Sequence, residues 1–232
     1  MIATGHQPNY LPYAGFFHKI VRADVFIVVD TVQFVKRGPF GWIHRNRIRT
    51  PDGWDWLSVP ALTKGKFTQR IIETKIDRSV PWARKHLRTL EWNYKKAPFF
   101  DEYIGVFREV YTKEWDSLCE LNIHLIEKLL LLMGISRSMR RTSELGVEGE
   151  ASALIVNMCR AVGADAYLSG IHGKDYLDIG LFEKSGIRLI FQEFCHPTYT
   201  QSQPGAFIPE LSVVDMLFNC GPRTVDLLRG AS

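Results

Sequence analysis

The chain has 232 residues, of which 46% are hydrophobic and 12% aromatic, and its formal net charge is +4. This composition predicts a packed core and excludes a disordered chain. The excess of positive charge is too small to indicate nucleic-acid binding by itself.

The chain opens with a strand–loop–helix–strand pattern. A short apolar run ends at Gly5, helical spacing follows over residues 16–21, and a second apolar run ends at Asp30. Such a unit requires parallel strands and a right-handed crossover, and ligands bind at the carboxyl ends of parallel strands. The candidate site residues at these two ends are His6, Gln7, Asn9, Tyr10, Asp30 and Gln33.

Residues 31–50 form the densest polar stretch, in which basic side chains alternate with Phe34, Phe40 and Trp42. Gly38-Pro39 and Gly41 predict irregular backbone here. Such a loop could bind a phosphate and stack on a ring, or it could be a solvated surface loop. The substrate-binding candidates in this stretch are Lys36, Arg37, Arg45 and Asn46.

The next segments predict a hairpin and then helices. Alternation over 54–62 and 67–76, with a turn at Lys64-Gly65-Lys66, indicates two antiparallel strands. Helical periodicity follows over 79–96, 100–113 and 117–133, with Gly134 ending the last helix. We expect one α/β domain over 1–232, with 79–134 as a helical insertion or subdomain.

A second strand–loop–helix–strand unit lies near the C-terminus. A basic edge strand at 137–143 and a helix at 150–162 precede a strand at 166–170, and the next strand is 187–192. The loop between these two strands contains glycines, which allow close approach to a phosphate or simply a tight turn. A last helix is predicted from Ser212 through Phe218. The binding candidates in and after the loop are Ser169, Gly170, Gly173, Lys174, Tyr176 and Asp178.

His6 is the candidate general base, because it is the histidine that lies at a strand end in the first unit. Scattered histidines do not define a metal site, so none is assigned. Four widely spaced cysteines make a disulfide framework unnecessary. There is no secretory signal pattern, and the most apolar stretch, 123–135, is too short and too charged to span a bilayer. A cytoplasmic protein without stable membrane insertion is expected.

Several motifs resemble the WbqC-like family over nearly the whole chain. They are the run from His6 to Ile20, Asp30-Thr31-Val32-Gln33-Phe34, Ser169-Gly170 with Gly173 to Asp178, and Leu211 to Gly221. The resemblance implies a setting in bacterial surface-polysaccharide (O-antigen) biosynthesis. For some members it also implies transfer of a glycine or another aminoacyl group to a sugar.

A more distant likeness is to nucleotidyltransferases of the HIGH-motif superfamily, which also carry a proline-rich loop and a glycine-bearing helix start after the first strand. It implies a Rossmann-like fold and makes ATP with Mg²⁺ a candidate cofactor. Both motif histidines are missing, because the matching residues are Tyr13-Ala14-Gly15-Phe16. His18 and Lys19 lie one helical step away and are candidates to replace them, so Lys19 joins His6 and Asp30 as a candidate catalytic residue.

The expected fold is a three-layer α/β domain with a mostly parallel sheet. The leading functional hypothesis is a cytoplasmic transferase whose small-molecule substrate is a nucleotide-linked sugar or an aminoacyl donor. The alternative is a non-catalytic module that binds a nucleotide or sugar precursor or docks a partner enzyme. A third hypothesis is nucleic-acid binding by residues 36–49. It would require salt-dependent retention of the protein on DNA or RNA.

Overall fold

The structure, a computed structural model, describes residues 1–38 and 41–231. Pro39 and Phe40, which belong to the predicted basic–aromatic loop, lie outside the described residues. The strands are β1 (Ile2–His6), β2 (Val25–Val28), β3 (Arg45–Thr50), β4 (Gly53–Ser58), β5 (Ser138–Arg141), β6 (Ala166–Ser169) and β7 (Arg188–Phe191). The helices are α1 (Ala14–Val21), α2 (Trp82–Tyr94), α3 (Phe100–Thr112), α4 (Leu118–Leu132), α5 (Thr142–Leu145), α6 (Ala151–Val162), α7 (Ile179–Lys184), α8 (Val213–Cys220) and α9 (Arg223–Arg229).

Five strands form a parallel sheet in the order β5-β2-β1-β6-β7. From β1 the chain passes through α1 to β2 on one side, and from β6 it passes through α7 to β7 on the other. Right-handed crossovers in opposite directions place α1 and α7 on opposite faces of the sheet. The predicted three-layer α/β fold with a parallel sheet is confirmed, and the point where the strand order reverses lies between β1 and β6.

Both faces of the sheet are covered by helices. The side chains of β2 alternate between the two faces. Phe26 and Val28 pack into the core cluster that contains α1, α2, α3, α4 and α8. Val25 and Ile27 pack into the cluster that contains α6 and α7. A strand buried on both faces reads as a continuous apolar run, which is why β2 was predictable from the sequence.

The predicted hairpin of 54–62 and 67–76 does not form as a pair of strands; among the described residues, the two segments meet in an antiparallel bridge between Ala61 and Ile76. β4 pairs instead with β3, so that Arg47 lies opposite Trp56 and Arg49 opposite Trp54. Residues 71–73 form a short 3-10 helix that packs against α4. The sequence predicts β3 as part of a loop because arginines occupy its alternate positions, a pattern that does not resemble a strand. Arginine suits this strand because its long aliphatic stem can pack across the aromatic side chains of β4.

The helices predicted over 79–133 are present as α2, α3 and α4, with ends within three residues of the prediction. They pack into the same core cluster as α1 and α8. Their status as an insertion within one domain stays a prediction. The sequence analysis missed α9, which follows α8, the last helix predicted.

Candidate functional site

The carboxyl ends of β1 and β6 lie side by side at one edge of the sheet. Ile2 pairs with Ala166 and Ala3 with Tyr167, and the Thr4 hydroxyl donates to the Leu168 carbonyl at 2.8 Å. Since the chain leaves these two strands in opposite directions, their connections diverge and leave a gap. A gap of this kind is where open parallel sheets bind their ligands.

His6 ends β1 at this gap and presents one ring nitrogen as a base. Its Nδ1 lies 2.9 Å from the Gln7 carbonyl oxygen. Because a carbonyl oxygen only accepts, we assign the proton to Nδ1, which leaves the lone pair on Nε2. Burial, with a smaller effect from the charge of Lys19, lowers the pKa of His6 to about 3. The ring is therefore neutral at physiological pH.

Lys19 reaches the same gap from α1. Its side chain is only 6% exposed, and its Nζ donates to the Gly5 carbonyl at 3.2 Å. A β-carbon placed on Gly170 would lie 4.0 Å from Nζ, so the ammonium lies between the ends of β1 and β6. No ion pair joins it to a carboxylate of the described residues. Burial lowers the pKa of Lys19 to about 8.

A glutamine that the sequence reasoning missed holds α1 against the sheet edge. The Gln192 amide nitrogen lies 2.8 Å from the Gly15 carbonyl, to which it donates, and 2.9 Å from Nδ1 of the buried His18. The Gln192 backbone N–H donates to Ser169 O at 2.9 Å. Gln192 thus ties β6 to the helix that carries Lys19. Its place at the end of the predicted strand 187–192 was the available signal.

The loop after β6 contributes backbone and small side chains to the gap. Ser169 is buried, and a β-carbon on Gly173 would lie 1.9 Å from its hydroxyl oxygen. The other candidates of this segment point elsewhere or are exposed. Lys174 Nζ lies 5.3 Å from the centre of the Phe191 ring, and Tyr176 is 59% exposed. The Asp178 carboxylate caps α7 by accepting from Leu181 N at 3.1 Å.

Asp30 is fully buried and its carboxylate is occupied. Oδ1 accepts from Thr142 Oγ1 at 2.8 Å and from Ser143 N at 3.0 Å, and Oδ2 accepts from Ser143 Oγ at 2.6 Å. These bonds join the end of β2 to the start of α5. Gln33, three residues further, is exposed and donates to Phe67 O at 2.8 Å. Asp30 therefore positions the sheet edge, while Gln33 lies at the surface.

The loop after β1 turns most of its candidate side chains into the core. Tyr10 is fully buried, with its hydroxyl bonded to His86 Nδ1 at 2.8 Å and to the Tyr111 hydroxyl. Asn46 donates to Leu11 O at 2.6 Å from β3. Asn9 is 5% exposed and Gln7 is partly buried. The structure thus places Tyr10 and Asn46 away from solvent, where they hold the loop.

The basic candidates lie on and before the β3–β4 ribbon. The Arg45 guanidinium lies 4.2 Å from the Trp56 ring centre, and Arg47 lies 5.2 Å from that of Trp54. These cation–π contacts occupy the arginines and stabilise the ribbon, each by about 0.5–1 kcal/mol at an exposed site. Lys36 and Arg37 are exposed. Arg45 and Asn46 are thus anchored within the protein, whereas Lys36 and Arg37 face solvent.

An open cavity of about 650 Å³ lies at the same edge of the sheet, beyond β2. It is bounded by the segment after β2, by Arg70, and by the loop that leads into α6. Gln33 lines it, but His6 and Lys19 do not. The lining residues are Thr31, Val32, Gln33, Arg70, Ile72, Thr142, Ser143, Gly146, Val147, Glu148, Gly149, Glu150, Ala151 and Leu154.

Across residues 1–38 and 41–231, no three His, Cys, Asp or Glu side chains converge in a way that could hold a metal ion. Metal ligation in proteins relies on such groups, so we assign no residue to Mg²⁺. Within the same residues, no helix has both the length and the apolar character needed to cross a membrane.

The chain matches a known protein family over nearly its whole length. The sequence model of the family described as "WbqC-like protein family" matches residues 7–227. A protein of Mycobacterium tuberculosis (strain ATCC 25618 / H37Rv), named "Uncharacterized protein Rv1507c", is 34% identical over 224 residues, which cover 96% of this chain and 95% of that protein. No solved structure matches the chain.

Proposed function

The chain belongs to the WbqC-like protein family, and we propose that it is a transferase acting on a phosphate-bearing precursor, such as a nucleotide-linked sugar. The observation that carries this proposal is the buried ammonium of Lys19, which has one carbonyl partner and no carboxylate partner among the described residues. Burying an unpaired charge costs several kcal/mol. An anionic ligand at the gap between β1 and β6 would offset that cost.

His6 is the proposed general base. Its Nδ1 proton is fixed on the Gln7 carbonyl, so Nε2 is ready to take a proton from the attacking hydroxyl or amine of an acceptor. The low pKa of His6 results from burial and from the charge of Lys19. A bound phosphate beside the ring would stabilise the imidazolium and raise the pKa of His6, so the substrate would itself strengthen the base.

The loop after β6 is proposed to face the phosphate through its backbone. Gly170 leaves room beside Lys19, and the buried Ser169 lies at the carboxyl end of β6. Lys174, Lys36 and Arg37 are exposed cations, and we propose that they attract the anionic substrate rather than hold its reacting group. Asp30 is proposed to position the edge of the sheet rather than to take part in the chemistry.

The family resemblance supports a setting in cytoplasmic surface-polysaccharide biosynthesis, and it supports an aminoacyl compound as the other candidate donor. ATP would meet the same requirement at Lys19, because it too presents phosphate oxygens. The common element in all these substrates is an anionic group. The first experiment therefore asks which anion binds before it asks what is transferred.

The test combines binding and turnover. Thermal unfolding of the wild-type protein is measured with nucleotides, nucleotide-linked sugars and aminoacyl donors, and any stabilising compound is assayed for turnover by mass spectrometry. His6→Gln should bind such a compound within a factor of about three and lose at least about 100-fold in turnover, the usual contribution of a general base. His124→Gln, at a partly buried histidine of α4 that packs on Trp115, is the matched control and should turn over substrate as wild type does.

A second candidate function is a non-catalytic module that binds the same precursor. It is favoured by the low pKa of His6, because an imidazole with a pKa near 3 is a weak base. Stabilisation by a nucleotide-linked compound without turnover, under all acceptors tried, would support the module. Near-normal turnover by His6→Gln would remove His6 from the mechanism, and failure of every anion to bind would remove the proposed site.

A further inference from the structure

We propose that the cavity beyond β2 binds an uncharged polyhydroxylated group, namely the sugar ring of the substrate. This inference rests on the proposed function and adds to it the place where the sugar lies. The cavity volume of about 650 Å³ is within the range of small-molecule sites and is several times the volume of one hexose ring. The residues that carry the argument are Thr31, Gln33, Arg70, Glu148, Glu150 and Leu154.

The charges around the cavity disfavour an anion. Among the described lining residues the cation is Arg70, which is already paired with Glu73: its Nε and Nη2 donate to the Glu73 carboxylate at 2.9 Å and 2.6 Å. Glu148 and Glu150 are exposed and take part in no ion pair with a described residue. The lining therefore carries an uncompensated negative charge, which would repel a phosphate or carboxylate. The phosphate of the substrate must lie elsewhere, which agrees with a separate position at Lys19.

The polar side chains of the lining are mostly hydrogen-bond acceptors. Glu148 and Glu150 are lining residues with carboxylate side chains, which only accept hydrogen bonds. Gln33 uses its amide nitrogen on Phe67 O, so its side-chain oxygen remains to accept. The Thr31 hydroxyl donates to Thr142 Oγ1 at 2.9 Å, which leaves its lone pairs. A ligand that suits such a surface brings several O–H donors. Planar carboxylate and amide groups are well shaped to accept two neighbouring hydroxyls.

An apolar wall completes the fit to a sugar. Val32, Ile72 and the buried Leu154 line the cavity together with the acceptors. The C–H face of a pyranose is apolar, whereas its rim is hydroxylated, so one side can pack on the wall while the rim meets the carboxylates. A small cation would gain nothing from this wall, which distinguishes a polyol from an ammonium or metal ligand.

The cavity lies close enough to His6 for one substrate to reach both places. The backbone N–H of Val29 donates to the His6 carbonyl at 2.9 Å, and Thr31 follows two residues later. Two residues of extended chain span at most about 7 Å. A sugar in the cavity and its linked phosphate at Lys19 would therefore lie on either side of the end of β1, which carries His6.

The experiment uses uncharged sugars, so that no phosphate contributes to binding. The ¹⁵N-labelled protein is titrated with methyl glycosides of common hexoses and of their 2-acetamido and 6-deoxy derivatives, at millimolar concentrations. We expect saturable amide shifts confined to residues 31–33 and 146–151. The double variant Gln33→Leu/Glu148→Leu should weaken the glycoside at least tenfold. That variant should bind ADP as wild type does, whereas Lys19→Met should lose ADP and keep the glycoside.

Four outcomes overturn the inference. They are no saturable shift with any glycoside, shifts that map to other residues, tighter binding of methylamine than of the glycosides at the same amides, and shifts that survive the double variant unchanged. The two proposals fail separately. If the wild-type protein bound glycosides but not ADP, the phosphate site at Lys19 would be refuted and the sugar site in the cavity would stand. If it bound ADP but no glycoside, the sugar site alone would be refuted.

Discussion

The ammonium of Lys19 donates to the carbonyl oxygen of Gly5 across 3.2 Å, so helix α1 holds a positive charge against the end of β1. A backbone carbonyl compensates a charge only partly, and the side chain is almost fully removed from solvent. An anion bound beside this ammonium would therefore stabilise the protein. The anion-binding role proposed for Lys19 thus comes at a cost in stability, and two predictions follow from that opposition.

The first prediction concerns stability. The pKa of Lys19 falls from 10.5 to about 8 on folding, which at about 1.4 kcal/mol per unit corresponds to about 3 kcal/mol of destabilisation below pH 8. Between pH 8 and 10.5 the unfolded chain binds more protons at this group, so its unfavourable contribution shrinks as pH rises. Lys19→Met should thus be more stable than wild type at pH 7, and this difference in the free energy of unfolding should become smaller above pH 8.

Urea unfolding of both proteins across pH 7–10, in a buffer without phosphate, measures the difference in their free energies of unfolding. The difference between the proteins is the relevant quantity, because tyrosines and cysteines titrate similarly in both. Lys96→Met, at an exposed position, should show a constant small difference from wild type. If the stability difference between Lys19→Met and wild type stayed constant with pH, Lys19 would not be charged and buried as described.

The second prediction concerns ligand affinity. Only the protonated amine attracts an anion, so the affinity for ADP should be level below pH 8 and should fall by up to about tenfold per unit above it. Lys19→Arg keeps its charge at all these pH values and should give a level profile, though with a lower affinity because the guanidinium is larger. Isothermal titration calorimetry from pH 6.5 to 9.5 gives both profiles. A level wild-type profile would mean that another cation holds the phosphate.

The sheet, and the position of His6 and Lys19 at its carboxyl edge, could be predicted because local patterns determine them. β1, β2, β6 and β7 are short apolar runs that end in glycine or polar residues, and parallel pairing with crossovers leaves few possible arrangements. His6 and Lys19 were identifiable because they follow or face a strand end. Ribbon β3–β4 was not, since its arginines interact with Trp54 and Trp56 across the ribbon, a contact that the sequence alone does not show.

The roles of several site candidates could not be predicted because they depend on distant partners. Asp30 meets Thr142 and Ser143, which are more than 110 residues away along the chain. Tyr10 meets His86 and Tyr111 in the same manner. The sequence pattern of a polar residue after a strand is the same whether its side chain faces a ligand or the core. Only the fold shows which of these groups has its hydrogen bonds already satisfied.

The third prediction separates these two roles for Asp30. Asp30→Asn replaces an acceptor oxygen with an N–H₂ group that faces hydrogen-bond donors, and we expect it to lower the free energy of unfolding by about 1–3 kcal/mol. Asp52→Asn, at an exposed position, should change it by less than about 0.5 kcal/mol. ADP affinity should change little in either variant. Normal stability with lost turnover would instead make Asp30 a catalytic residue.

The fourth prediction concerns the loop that faces Lys19. A methyl group on Gly173 would lie 1.9 Å from Ser169 Oγ, 2.9 Å from Ser169 Cβ and 3.1 Å from Leu177 Cδ1. The serine hydroxyl can rotate away, but its β-carbon cannot, so the loop must shift. Gly173→Ala should therefore cost about 1–3 kcal/mol of stability, as overpacking usually does, and should weaken ADP binding.

Gly180→Ala is the matched control, because a β-carbon there has its nearest neighbour, Asp178 Oδ1, at an ordinary 3.5 Å. Within helix α7 that change should stabilise the protein by up to about 1 kcal/mol. Adding Ser169→Gly to Gly173→Ala removes both close serine atoms, so it should restore the ADP affinity that Gly173→Ala loses. Chemical unfolding and calorimetry measure the two effects separately. If Gly173→Ala were as stable as Gly180→Ala and bound ADP normally, the loop after β6 would not pack as described, and its proposed place beside the phosphate would have no support.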